Sequence, residues 1–194
     1  MRCLFTVHAG EYLVGSEIEK RIRQVDVWLP SKDRGIDLLV TGRANNGGSE
    51  GIVSIQVKFS KDFAITDDAD LQKYGLEASS WYSLIRDKII TSPADIWIFV
   101  ILPFKRVDIN YVIIPKDELN NRLNQYKKSG KRLDIYFRVI ATSNNSNECW
   151  DTRGLSRQEQ IALCRGENHD KEEIQKRCFT QYINAWRIVE EKLK

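Results

Sequence analysis

Four residues among the first sixty stand where their chemistry is out of keeping with their neighbours. Glu11 opens a segment in which Val14, Ile18, Ile22 and Val25 recur at helical spacing. At about 100° per residue, all four offsets fall within roughly 60° of Glu11, so the carboxylate shares the apolar stripe. Glu17 and Glu19 project away from it with Lys20 and Arg21. Asp37 interrupts the apolar stretch Ile36–Val40. Gln56 and Lys58 sit two apart in an alternating segment, with Val53, Ile55, Val57 and Phe59 on one face and Ser54, Gln56 and Lys58 on the other. Each has a plainer reading alone: a carboxylate favoured by a helix N-terminus, an aspartate at a strand edge, a hairpin with one solvated face. Together they place a carboxylate pair, an amide and an ammonium around one point, the set that phosphodiester hydrolysis needs. Oxygen ligands hold a hard cation such as Mg²⁺. The cation neutralises phosphate charge and acidifies a bound water, and a neighbouring lysine orients that water.

The elements that must position these groups follow from periodicity and punctuation. A helix is expected over about Val7–Val25, broken by Trp28-Leu29-Pro30. A strand over Gly35–Val40, the polar turn Gly42–Gly51 and a strand over Ile52–Phe59 read as a hairpin. Ser60–Glu77 reads as a long loop, and Ser79–Ile90 as a helix capped by Ser79 or Ser80. The apolar Ala94–Leu102 is expected as a central strand, followed by a strand over Asn110–Ile114. Pro115 then begins a helix over Lys116–Tyr126, and Leu133–Thr142 is a further strand. A polar loop, Ser143–Asn147, leads to a short helix over Leu155–Cys164. A long one follows over Asp170–Lys194, with Ile174, Cys178, Tyr182, Trp186, Val189 and Leu193 on one stripe. The fold class expected is α/β, a mixed central sheet flanked by helices.

The ordered set Gly10-Glu11, Gly35-Ile36-Asp37 and Gln56-Val57-Lys58 resembles the PD-(D/E)XK nuclease superfamily in its Q-x-K form. The motif match covers about residues 8–60, and the order of elements extends it to near residue 142. The resemblance implies a restriction-endonuclease-like core over 1–142 with a helical C-terminal extension, 143–194, packed on it. It implies a DNA endonuclease of restriction and defence, repair or junction cleavage, using Mg²⁺, with Mn²⁺ as a substitute. Asp37 would be the main metal ligand, Gln56 and the Val57 carbonyl would add oxygens, and Glu11 would ligate directly or through water. Lys58 would position the nucleophilic water. Ile36 stands where proline is usual, and Gln56 where an acid is usual; the second change removes a negative charge and weakens the hold on a dication. A catalytically weak or inactive module of the same fold, binding nucleic acid or a protein partner, is the alternative. An unrelated α/β domain with a small-ligand face is a third reading.

Composition sets the frame. The chain has 194 residues, 42% hydrophobic and 29% charged, which excludes a disordered or collagen-like chain. The net charge of +3 is unevenly spread: residues 1–97 carry 12 Lys and Arg against 14 Asp and Glu, residues 98–194 carry 18 against 13. Lys61, Lys73, Lys127, Lys128, Lys131 and Arg132 are candidates for a phosphate-facing surface, the plainer reading being solvated loops and helix ends. Met1–Phe5 lacks the apolar core of a signal peptide and no apolar run is long enough for a bilayer, so the expectation is a cytoplasmic protein with reduced thiols. The partner expected is DNA, with no membrane and no small-molecule cofactor, and the size suits a homodimer cutting both strands. Cys149, Cys164, His169 and Cys178 are zinc-compatible types but lack the short Cys-x₂₋₄-Cys knuckle.

Overall fold

The computed structural model describes residues 8–32, 34–43, 49–60, 69–104, 109–127, 130–142 and 146–194. The chain is mixed α/β, and no helix among the described residues is long and apolar enough to cross a membrane. Helix α1 (Ala9–Arg21) leads into β1 (Val25–Trp28), β2 (Leu38–Arg43) and β3 (Ser49–Phe59), an antiparallel meander. β5 (Ile96–Ile101) runs parallel to β3, and β6 (Asn110–Pro115) antiparallel to β5, which completes a five-stranded sheet of order β1-β2-β3-β5-β6. Helix α1 buries Val14 and Ile18 against one face of this sheet, as the stripe requires, and Ile22, just past its end, packs in the same core. It stops at Arg21, three residues before β1, because Ile22 is already extended and Gln24 has φ of 58°. Val25 therefore belongs to β1.

The other face carries a second sheet where helices are expected. Strand β4 (Leu76–Ile85) pairs along most of its length with β7 (Arg132–Ala141), which pairs with β8 (Asn147–Asp151). Between the sheets lie Trp97, Phe99, Val112 and Ile114 from the first, and Ala78, Tyr82, Leu84, Ile135 and Phe137 from the second. The segment 79–90 is thus a strand followed by the short helix α3 (Arg86–Ile90). Ala78, Tyr82 and Leu84 recur with period two, and Ser79 and Ser80 are buried in the sheet rather than capping a helix. Within the stretch expected as loop, Ala69–Gln72 forms a helical turn, α2. The remaining helix of the core is α4 (Lys116–Tyr126), which follows directly on Pro115, the last residue of β6.

The C-terminal region also departs from the expectation of a purely helical extension. β8 lies within it and is an integral strand of the second sheet. After α5 (Arg157–Cys164), the expected long helix is a series of short turns: α6 (Glu172–Gln175), a 3₁₀ turn at Thr180–Tyr182 and α7 (Arg187–Lys192). Tertiary pairing overrides the helical stripe. The Phe179 N–H donates to the Cys149 carbonyl (2.7 Å), and the Asn184 N–H donates to the Tyr111 carbonyl (2.7 Å), with Asn184 itself at φ of 49°. The segment therefore clasps β8 at one sheet and β6 at the other, covering edges that would otherwise stay open.

One buried ion pair anchors the second sheet. Asp151 is fully buried; its carboxylate meets the Lys127 ammonium (2.9 Å) and the Tyr126 hydroxyl (2.9 Å), and accepts from the Tyr136 and Arg153 backbone N–H groups. Burial, and then the adjacent carboxylate, push the Tyr126 hydroxyl well above its usual range. Lys127→Met should leave Asp151 buried without its cation and cost about 3–5 kcal/mol in urea unfolding. Lys131→Gln, at an exposed position, should stay within about 0.5 kcal/mol.

Candidate functional site

Asp37 immediately precedes β2 and is fixed by β3. Its N–H donates to the Ile55 carbonyl (2.8 Å), and its Oδ2 accepts from the Val57 N–H (2.7 Å) and from the Gln56 side-chain amide. The turn into this position depends on Gly35, at φ of 84°, where a Cβ would lie 3.3 Å from the Pro93 ring and 4.0 Å from Gln56 Oε1. The Gly-Ile-Asp spacing thus has a steric reason: only a residue without a side chain turns comfortably here.

Glu11 reaches the same region through close helix–sheet packing. A Cβ on Gly10 would lie 2.6 Å from the Phe59 Cβ, so the glycine lets α1 settle directly on the end of β3. Glu11 and Asp37 line one cleft of about 380 Å³. The Glu11 side chain is only 17% exposed and sits 3.7 Å from His8 Nδ1. The cleft is acidic in character, with two carboxylates and no lysine or arginine among its described lining residues.

The opposite side of the Asp37–Gln56 contact has the opposite charge. Gln56 and Lys58 line a second cleft, of about 560 Å³, with Arg34 and Lys88. The Lys58 ammonium lies 5.2 Å from the centre of the Trp97 ring, a cation–π contact that restrains the long side chain. Ser54 does not join this group. Its hydroxyl donates to Asp95 Oδ2 (2.6 Å) and accepts from the Asp95 N–H (3.0 Å), which ties β3 to the start of β5. Gln56 is therefore the seam between a carboxylate-lined cleft and a cationic one.

Asp37 and Gln56 are in contact, Lys58 shares the second cleft with Gln56, and Glu11 shares the acidic cleft with Asp37. Among the described residues no three His, Cys, Asp or Glu side chains form a cluster that could hold a metal. The donor set for a hard cation would instead be two carboxylates, the Gln56 amide oxygen and the Val57 carbonyl, which fits the chemistry of Mg²⁺. As placed, Gln56 offers its N–H to Asp37. A half-turn of the amide would offer the oxygen, an assignment governed by the partner it meets.

The phosphate-facing candidates scatter. Lys61 and Lys128 lie outside the described residues. Lys127 turns inward to Asp151, and its side chain is 13% exposed. Lys73 is exposed in the turn after α2, away from both clefts. Lys131 and Arg132 are exposed at the end of β7 beside Ile85, which lines the cationic cleft. Sequence reasoning passed over Arg34, Lys88 and Trp97. Arg34, directly before Gly-Ile-Asp, was open to notice; Lys88 depends on the β4–α3 path, and Trp97 on the pairing of β5 with β3 opposite Gln56. Cys149 is buried, and burial pushes its thiol well above the usual range, which suits a packed and unreactive group.

No protein-family model matches the chain, and no curated protein matches it. The site therefore stands on its own geometry. Gln56→Glu should set a second carboxylate against Asp37 and cost about 1–3 kcal/mol in chelator at neutral pH. The paired charges raise a carboxyl pKa in the folded state above its unfolded value, so the loss should shrink as pH falls. Urea melts across pH check both the size and the sign.

Proposed function

We propose that this chain is a divalent-metal-dependent DNA endonuclease with a restriction-endonuclease-like core, using Mg²⁺ or Mn²⁺. One observation carries the reading: Asp37 and Gln56 are in contact at the seam between a cleft holding Glu11 and a cleft holding Lys58. Hydrolysis needs both fields at once, negative oxygens for a cation and a positive group for water and phosphate. The antiparallel meander followed by a parallel step from β3 to β5, with α1 packed on it, supports the same fold.

Asp37, Glu11, Gln56 through its oxygen and the Val57 carbonyl would hold the cation. When bound, it would neutralise phosphate charge and lower the pKa of water. Lys58 donates hydrogen bonds to the attacking water and offsets the negative charge that builds on the phosphoryl oxygens. The water oxygen forms a bond to phosphorus as the bond to the leaving sugar oxygen breaks. One proton passes from the water to solvent, and the leaving oxygen takes up another. Trp97 keeps the Lys58 ammonium close to the reacting group and lowers the entropy of placing it.

The Gln56 amide also supports a second reading. Its side-chain amide donates to the Asp37 carboxylate, which suits a nucleic-acid- or protein-binding module that has lost its chemistry. Cleavage of linear, branched and single-stranded DNA with Mg²⁺ or Mn²⁺ separates the two. On the endonuclease reading, Asp37→Asn and Lys58→Ala should each lower cleavage by about 10²-fold or more, with melting curves close to wild type. Variants that cut as well as wild type would remove the site, and no cleavage of any substrate would favour the binding module.

A further inference from the structure

The cationic cleft extends past the groups needed for chemistry. Arg34 approaches from the β1–β2 connection, Lys88 from α3 and Lys58 from β3, and no aspartate or glutamate is among the described residues that line it. Arg34 and Lys88 are exposed and carry no ion pair with another described residue. A cleft of one sign, open to solvent, focuses its field on an incoming anion. Its wall also holds unmet hydrogen-bonding capacity. The Ser83 hydroxyl and the Trp97 indole N–H are buried without a hydrogen-bond partner among the described residues, and Trp97 is 3% exposed.

The positive charge continues beyond a single-phosphate site. Ile85 lines the cleft and pairs across the sheet with Arg132, while the Arg86 N–H donates to the Lys131 carbonyl (3.0 Å). Lys131 and Arg132 therefore stand at the same β4–α3 corner as Lys88, both exposed. An isolated phosphate or a nucleotide would fill the cleft alone. A strip that runs on around the corner suits a chain of phosphates.

We infer that the β4–α3 corner is the seat of the DNA backbone. Arg34 and Lys88 take the phosphates next to Lys58, and Lys131 and Arg132 take those that follow. This rests on the endonuclease reading for the choice of DNA, but binding and cleavage can be measured apart. The probe is a fluorescein-labelled DNA duplex, its binding followed by anisotropy against salt in chelator, where hydrolysis is suppressed. The paired substitution Arg34→Gln with Lys88→Gln should weaken binding about tenfold near 0.1 M salt and lower the slope of log affinity against log salt by about 1.8. A charge-matched pair lining a separate cleft past the C-terminal end of α1, Arg23→Gln with Lys194→Gln, should leave both values close to wild type. All four positions are exposed, so melting curves should be unchanged. Equal loss in both pairs, no loss in the first pair, or no binding by wild type would overturn the seat. Binding that depends on Arg34 and Lys88 without cleavage in Mg²⁺ would keep the seat and remove the hydrolytic reading. Cleavage that is indifferent to the first pair would do the reverse.

Discussion

The Asp37 carboxylate is held by the backbone of its neighbour strand, and the rest of the site depends on that hold. Its own N–H and its Oδ2 bracket β3 at Ile55 and Val57. Between those two points the side chain of Gln56 must emerge beside the carboxylate, and Lys58 must follow on the same face one pleat further on. A slip of one residue in the β2–β3 register would send Gln56 and Lys58 to the opposite face of the sheet. The apolar side chains of β3 resist such a slip, since Val53, Ile55 and Val57 are packed under α1. Core packing and site geometry are thus set by one alternation.

That strand is enclosed on both faces, and the enclosure separates the charges. Helix α1 brings Glu11 to the Asp37 side, its approach permitted by the absence of a side chain at Gly10. The β4–α3 corner brings Lys88 to the Lys58 side. The Asp37–Gln56 contact lies where the two meet. A modest net charge of +3 therefore conceals two local fields of opposite sign.

The sequence made the first part of this arrangement legible because strong periodicity and steric punctuation coincide there. The phase of Glu11 with Val14 and Ile18, the glycine before Ile-Asp, and the Gln-x-Lys spacing are local signals, and local structure obeys them. The second sheet was not legible. Ser79 and Ser80 carry cap chemistry and polar character, yet they are buried in β4 by pairing with β7, more than fifty residues away in the chain. The C-terminal stripe from Ile174 to Leu193 has helical spacing, yet Cys178, Ile183 and Asn184 are drawn into bridges and hydrogen bonds with distant strands. Lys127 reads as a surface charge until its partner Asp151, from β8, is seen beside it. In each case a long-range partner outweighs a weak local preference.

The clasp formed by the C-terminal segment bears on how the chain reaches this state. Phe179 and Tyr182 complete the core between the sheets, and Trp186, Val189 and Leu193 complete the core beneath the first sheet. The segment from Phe179 to Leu193 is thus needed by both halves of the interior. A nascent chain lacking it presents two unfinished hydrophobic surfaces and two uncovered strand edges, β6 and β8, until translation has passed Leu193. Final consolidation is consequently governed by contacts of large sequence separation, which are slow to form.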